Sequence, residues 1–243
     1  MTRVAVLTGG ASGIGRASCA RLLADGFTLA VCDLDPDGAT ASAGPSGLGR
    51  GVDVADAGAV EEFFAEVVAT YGRIDVLVNN AGISGSPEAT VLHTTPIDEW
   101  DRVFGVNVRG AFLCSRAALP VMIDQGGGHV VTIASVAGQV AFPGRSAYSA
   151  SKGAALMLAK SIAVDYAVHG IRSNAVCPGM AETAMTKWRL DVPELRAAME
   201  SKIPLGRVAD ADEVADVVAL LASDRLAYLT GSALVVDGGY TAL

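Results

Sequence analysis

Tyr148 and Lys152 stand four residues apart in the run Tyr148-Ser149-Ala150-Ser151-Lys152. On a helix that spacing puts both side chains on one face, one turn apart. With the tyrosines and lysines this chain holds, about 0.08 such pairs are expected by chance, so the spacing is suggestive by itself. A free phenol has a pKa near ~10, too high for a base at neutral pH. An ammonium about 4 Å away, at an effective dielectric of ~20, contributes up to ~4 kcal/mol, or roughly three pKa units. The positive nicotinamide of an oxidised dinucleotide pulls the same way. Tyr148 is therefore expected to take a proton from a hydroxyl being oxidised, or to give one to a ketone being reduced. Ser135, closing the apolar run 129–135, is the donor expected to hold the reacting oxygen.

Such chemistry needs a dinucleotide beside the pair. Thr8-Gly9-Gly10-Ala11-Ser12-Gly13-Ile14-Gly15 follows an apolar run and opens a helical stretch. Glycines there allow a tight turn and close approach of a pyrophosphate to a helix N-terminus, whose free N–H groups and dipole favour an anion. The spacing G-x-x-x-G-x-G differs from the commoner G-x-G-x-x-G. Asp33 ends the second apolar run, where a carboxylate accepts hydrogen bonds from both adenosine ribose hydroxyls. It would repel a 2′-phosphate, no Arg or Lys lies next to it, and Ser12 before Gly13 is not basic. These features point to NAD rather than NADP.

The elements that must position these residues follow from the hydrophobic pattern. Runs at 3–8, 27–33, 49–53, 74–79, 129–135, 171–177 and 232–236 read as strands. Helical patterns occupy 14–25, 57–71, 97–124, 147–168 and 211–222. Strands without polar alternation are buried on both faces, the mark of a parallel sheet covered by helices. The expected fold is α/β, a Rossmann-like doubly wound sheet of about seven strands forming one domain over 1–243. Ligands in such a sheet bind beyond the carboxyl ends of the strands. Residues 36–50, rich in Gly, Pro and Ser, are expected to hold one short turn or less. Residues 180–207, with no strand of their own, form a candidate substrate loop or lid.

Composition excludes several classes. The formal charge of −8 disfavours a phosphate-neutralising nucleic-acid surface or an anionic membrane surface. Mean hydropathy is +0.41, but the longest stretch free of charged residues, 125–144, carries Gln125, five glycines, His129, Thr132, Ser135 and Gln139. No membrane span is expected there. The run Val4–Thr8 after Thr2-Arg3 is too short for a signal-peptide core. Cys19, Cys32, Cys114 and Cys177 show no CxxC spacing and read as reduced packing residues of a cytoplasmic protein. His93, His129 and His169 show no ligand spacing, so no metal is inferred.

Taken together, these motifs resemble the short-chain dehydrogenase/reductase family over nearly the full length. The matching pieces are TGGASGIG at 8–15, Asp33, Asp53-Val54, the NNAG at 79–82, Asn107 in NVRG, Ser135, Tyr148 to Lys152, Pro178-Gly179, and the closing Val236-Asp237-Gly238-Gly239. The resemblance implies that Asp53 and Val54 flank an adenine. It puts Asn80, Ala81 and Gly82 beside the adenosine ribose. It sets the Ala181 backbone and the Thr183 side chain at the nicotinamide end, with Ala181 in place of the usual Ile or Val. It has Lys152 also hold the nicotinamide ribose and Asn107 bind a water relaying protons to Lys152. It further implies a homotetramer paired through the outward faces of 97–124 and 147–168.

The pocket walls are expected from Ser84–Thr94, Val136–Phe142 and Met180–Trp188. Ile83, Val136, Ala137, Val140, Phe142, Met180, Met185 and Trp188 make them apolar, with Gln139 the polar exception. They suit a neutral secondary alcohol or ketone, while Arg145 and Lys187 offer a place for a carboxylate. Two other readings stand beside an NAD-dependent alcohol dehydrogenase. One is a 3-oxoacyl-[acyl-carrier-protein] reductase, disfavoured by Asp33, Ser12 and the acidic charge. The other is a nucleotide-sensing protein without catalysis, disfavoured by the intact Asn107, Ser135, Tyr148 and Lys152.

Overall fold

The structure, a computed structural model, describes residues 2–86 and 91–242. Seven parallel strands form one sheet: β1 (Val4–Thr8), β2 (Thr28–Asp33), β3 (Leu48–Gly51), β4 (Val76–Asn79), β5 (Gly128–Ile133), β6 (Ile171–Pro178) and β9 (Ala233–Val236). Their spatial order is β3-β2-β1-β4-β5-β6-β9. The chain reverses direction across the sheet between β1 and β4, which opens a crevice at the carboxyl ends of those strands.

Successive residues of one strand serve opposite faces. Val6, Leu77 and Val130 pack with Phe63, Phe64, Leu113 and Met122 on one face. Those partners come from α3 (Ala57–Tyr71) and α5 (Ala111–Asp124). Ala5, Leu7, Val78 and Val131 pack on the other with Cys19, Leu22, Val214 and Val218. Those come from α1 (Gly13–Ala24) and α9 (Ala211–Ala222). All four cysteines are buried as free thiols.

The structure corrects three expectations. Residues Pro36–Ala43 form a two-turn helix, α2, despite their composition. The Asp35 side chain accepts from the Gly38 N–H, Pro36 stands at the first turn, and Ala39 and Ala43 are buried against the sheet. Capping and burial there outweigh weak propensity. Second, the segment 180–207 does hold a strand: β7 (Ala181–Glu182) pairs in parallel with β8 (Ala209–Asp210). It then forms α7 (Ala184–Leu190) and α8 (Pro193–Glu200). Third, the stretch 97–124 is not one regular helix. It is α4 (Ile97–Phe104), a widened π-type turn (Gly105–Gly110) and α5.

By length and composition Ile97–Asp124 passes as a membrane-crossing helix. Its buried Leu113, Cys114, Ala118 and Met122 instead cover the sheet.

Candidate active site

Tyr148 and Lys152 both lie on α6 (Ser146–Tyr166), one turn apart. Lys152 is buried, and its Nζ donates to the Ile133 carbonyl at 2.8 Å. That bond ties α6 to the end of β5, two residues before Ser135. Ser135 caps a short 3-10 turn: its Oγ accepts from the Ala137 N–H at 3.1 Å and approaches the Pro178 carbonyl at 3.4 Å. The three side chains therefore meet where β5, β6 and α6 converge.

Their electrostatics differ from expectation. Lys152 Nζ stands 5.8 Å from the centre of the Tyr148 ring. Burial raises the Tyr148 phenol above its usual pKa, and a side-chain hydrogen bond with Ser135 opposes that rise. Burial also lowers the Lys152 ammonium to about 8. The expected lowering of Tyr148 by Lys152 is not seen here: burial dominates, and Ser135 is the group that opposes it. Desolvation disfavours both charged forms.

Asn107 sits in the π-type turn with both amide N–H donors and one lone pair of Oδ1 engaged. Its Oδ1 accepts from the Ile83 N–H at 2.8 Å, and its Nδ2 donates to the Ile83 carbonyl and to Ser151 Oγ, both at 2.9 Å. Ser151 Oγ in turn donates to the Tyr148 carbonyl at 2.7 Å. A Cβ added at Gly82 would stand 3.3 Å from both Asn107 Oδ1 and Lys152 Nζ, so the loop after β4 passes directly over this cluster.

Two cavities adjoin the pair. The larger, about 370 Å³, gathers the glycine turn (Gly9, Ser12, Gly13, Ile14, Gly15), the ends of β2 and β3 (Asp33, Asp53, Val54), the turn Asn80-Ala81-Gly82, Tyr148 with Lys152, and the β6 exit (Pro178, Gly179, Ala181, Thr183). Every residue assigned above to a cofactor lines it. Asn107 stands behind it.

The cavity suits a dinucleotide. No side chain caps the first-turn amides of α1, and Ser12 leaves them open to an anion. A side chain at Gly15 would come within 2.0 Å of the Gly9 carbonyl, and Gly13 has a φ of +52°. Asp33 spends two lone-pair positions on the Ala11 and Asp35 N–H groups. A carboxylate has about four, so two remain for ribose hydroxyls.

Asn80 does more than border this space. Its Nδ2 donates to the Thr8 and Gly9 carbonyls, while Thr8 Oγ1 accepts from the Asn80 and Ala81 N–H groups. The two turns are thereby clamped together.

The second cavity, about 140 Å³, is lined by Val136, Ala137, Phe142, Met180, Met185 and Trp188 as expected. Ser135, Tyr148, Gly179, Met185 and Thr186 line both cavities, so Tyr148 and Ser135 stand at their junction. Of the expected wall Ser84–Thr94, Ser84 lines the cavity while 91–94 are exposed, and three of the named side chains are elsewhere. Ile83 faces the larger cavity, Gln139 donates to Cys177 Sγ at 3.6 Å, and Val140 is exposed. Positions 87–90 of the expected wall lie outside the described residues. Lys187 is exposed and pairs with Asp191 at 3.1 Å, one helical turn on. Arg189 lines the cavity in its stead, with Arg145. Arg189 lies four residues after Met185, a periodicity that marks it once α7 is known to exist. Thr186 lines the cavity within the expected wall Met180–Trp188, and Met199 and Ile203 line it from the expected substrate loop. Thr8 and Ser151, which fall in the quoted motifs but were given no role there, complete the site, and Tyr240 is the lining residue that sequence reasoning did not place.

A family model described as "Enoyl-(Acyl carrier protein) reductase" matches residues 9–241. The chain is 53% identical to 2-(R)-hydroxypropyl-CoM dehydrogenase of Xanthobacter autotrophicus, over 100% of both chains. It is 42% identical to cis-4-hydroxycyclohexanecarboxylate dehydrogenase of Sinomonas cyclohexanicum, over 99% of this chain and 97% of that one. A solved short-chain type dehydrogenase/reductase from Mycobacterium marinum superposes with a TM-score of 0.92 at 33% identity, covering 99% of this chain and 96% of that one. The chain belongs to the short-chain dehydrogenase/reductase family. As a member it is an oxidoreductase of the secondary-alcohol dehydrogenase kind, and its Ser135, Tyr148 and Lys152 occupy one site in a Rossmann-like fold.

Proposed function

We propose that this short-chain dehydrogenase oxidises a secondary alcohol bearing an anionic tail, using NAD. The observation that carries the reading is the junction of the two cavities at Tyr148 and Ser135. The bound dinucleotide supplies the hydride acceptor. Tyr148 takes the hydroxyl proton, Ser135 holds the oxygen while charge develops on it, and Lys152 orients the nicotinamide ribose. Asn107 orders the loop above Lys152 and is where a water would pass protons on. Asp53, Val54, Asn80, Ala181 and Thr183 hold the remaining parts of the cofactor.

NAD is favoured over NADP because Asp33 stands at the adenosine end. The single basic side chain among the described lining residues is Lys152, at the other end. A 2′-phosphate would meet a carboxylate with no guanidinium to offset it. An anionic tail is favoured by Arg145 and Arg189, the two guanidinium groups among the described residues that line this largely apolar cavity. The 42% identical relative is named for a hydroxy acid, and the 53% identical one for a hydroxypropyl group joined to CoM. A carboxylate or sulfonate tail is the kind of anion that guanidinium groups pair with. The acyl-carrier reading is weakened by the same Asp33 and by the acidic surface.

Assembly as a homotetramer is the accompanying proposal. Phe104, Val108, Phe112 and Leu158 line an outward groove between the π-type turn, its flanking helices and α6. Val164 and Phe112 are exposed, while Leu113 and Ile162 are buried in the core. Light scattering at micromolar concentration tests this, and a monomer would refute it.

The test of function is steady-state turnover of short hydroxyalkyl carboxylates and sulfonates with each cofactor. NAD is expected to give the higher kcat/KM by at least about tenfold; equal or better use of NADP would overturn the cofactor assignment.

A further inference from the structure

The closing run Val236-Asp237-Gly238-Gly239-Tyr240 ends in a ring that lines the smaller cavity. We propose that Tyr240, stacked on Phe142, is a specificity-determining residue that limits the bulk of the alcohol this enzyme accepts. The inference rests on reading that cavity as the alcohol site.

The two rings come from opposite ends of the catalytic half of the chain. Phe142 lies beyond β5 and Tyr240 beyond β9, yet their centroids are 5.8 Å apart and their planes 10° from parallel. Together they make a flat apolar wall in the cavity that Tyr148 and Ser135 also line. Tyr240 further packs against the cluster of Leu190, Met199 and Ile203.

The turn carrying Tyr240 has little freedom to withdraw. The Asp237 carboxylate accepts from the Gly239 N–H at 2.9 Å, the Thr241 N–H at 2.8 Å and the Thr241 hydroxyl at 2.6 Å. Gly238 and Gly239 adopt φ of +64° and +90°, a conformation that side chains rarely take. A Cβ at Gly238 would come within 2.6 Å of Ile203 Cγ2, and the Gly238 carbonyl accepts from the Leu205 N–H at 3.1 Å. Asp237 also packs on Gly179, where an added Cβ would stand 2.8 Å from the Asp237 Cβ. Gly179 lines both cavities, so the turn is braced against the reaction centre. A bulky substituent on the carbinol carbon therefore meets a wall that is held from behind. The glycines and Asp237 serve to fix that wall.

The experiment compares kcat/KM for 1-phenylethanol and butan-2-ol, with NAD, in wild type, Tyr240→Ala, Tyr240→Phe and Phe142→Ala. Tyr240→Ala and Phe142→Ala are each expected to raise the ratio of the aryl to the small alcohol by at least about tenfold. Tyr240→Phe, which keeps the ring, should leave the ratio unchanged. Should Tyr240→Ala fail to fold, Tyr240→Leu and Phe142→Ala make the same comparison. An unchanged ratio in folded Tyr240 and Phe142 variants would overturn the proposal alone. A wild type that turns over neither these alcohols nor the hydroxyalkyl carboxylates and sulfonates would overturn the alcohol reading beneath it.

Discussion

Asn107 Nδ2 and Ser151 Oγ share a buried hydrogen bond of 2.9 Å, and through it the π-type turn grips the helix that carries Tyr148. Ser151 is fully buried, so no water replaces its hydroxyl when it is removed. Ser151→Ala leaves one Asn107 N–H and the second lone pair of the Tyr148 carbonyl without that partner, at a cost of about 1–3 kcal/mol. Unfolding by urea should show this loss. Turnover should fall through kcat more than through KM, because Tyr148 shifts while the cavities keep their linings. Unchanged stability and kcat would show that the bond does not position the tyrosine.

The two arginines make a second prediction. Arg145→Ala and Arg189→Ala should each raise KM for a hydroxyalkyl carboxylate or sulfonate by roughly tenfold or more, as expected for a lost charge-assisted bond. The same variants should leave KM for butan-2-ol within about twofold. Arg145 stacks over Trp188 at 5.8 Å and donates to the Ser86 carbonyl, so its loss should also lower Tm. Equal effects on charged and neutral alcohols would contradict an anion seat.

His129 predicts a pH dependence of stability. It is buried in β5, its Nδ1 at 2.8 Å from the Leu221 carbonyl and its Nε2 at 2.9 Å from Asn174 Nδ2. Burial, with Arg172 adding to it, lowers its pKa to about 3. The unfolded chain, with a pKa near ~6.5, takes up a proton between those values that the folded chain refuses. Stability is therefore lost as pH falls below ~6.5, by up to about 2 kcal/mol between pH 7 and pH 5. Urea unfolding at both pH values should show this in wild type and a smaller drop in His129→Gln. An identical drop in the variant would assign the acid sensitivity to other groups.

The parts legible in the sequence were those set by local chemistry. The strands buried on both faces announced a parallel sheet, and its topology then placed the glycine turn, Asp33, Ser135 and the Tyr148–Lys152 pair at one edge. What depended on tertiary packing was hidden. α2 forms because Asp35 caps it and the sheet buries Ala39 and Ala43, neither of which composition reveals. Lys187 and Arg189 stand two residues apart, and only the helical phase of α7 shows that Arg189 faces the cavity. Tyr240 reaches the site through a turn at the far end of the chain. The protonation of Tyr148 depended on how deeply the fold buries it and Lys152, which spacing alone does not reveal.

The most direct test of the reaction centre is Tyr148→Phe, measured by single-turnover hydride transfer from a secondary alcohol to NAD alongside calorimetric titration of the cofactor. The phenylalanine keeps the ring and the cavity lining and removes only the hydroxyl. Cofactor affinity should stay within a few fold of wild type while hydride transfer falls by about 10²–10⁴-fold, the usual contribution of a positioned acid or base. Hydride transfer near the wild-type rate would contradict Tyr148 as the proton-transferring group.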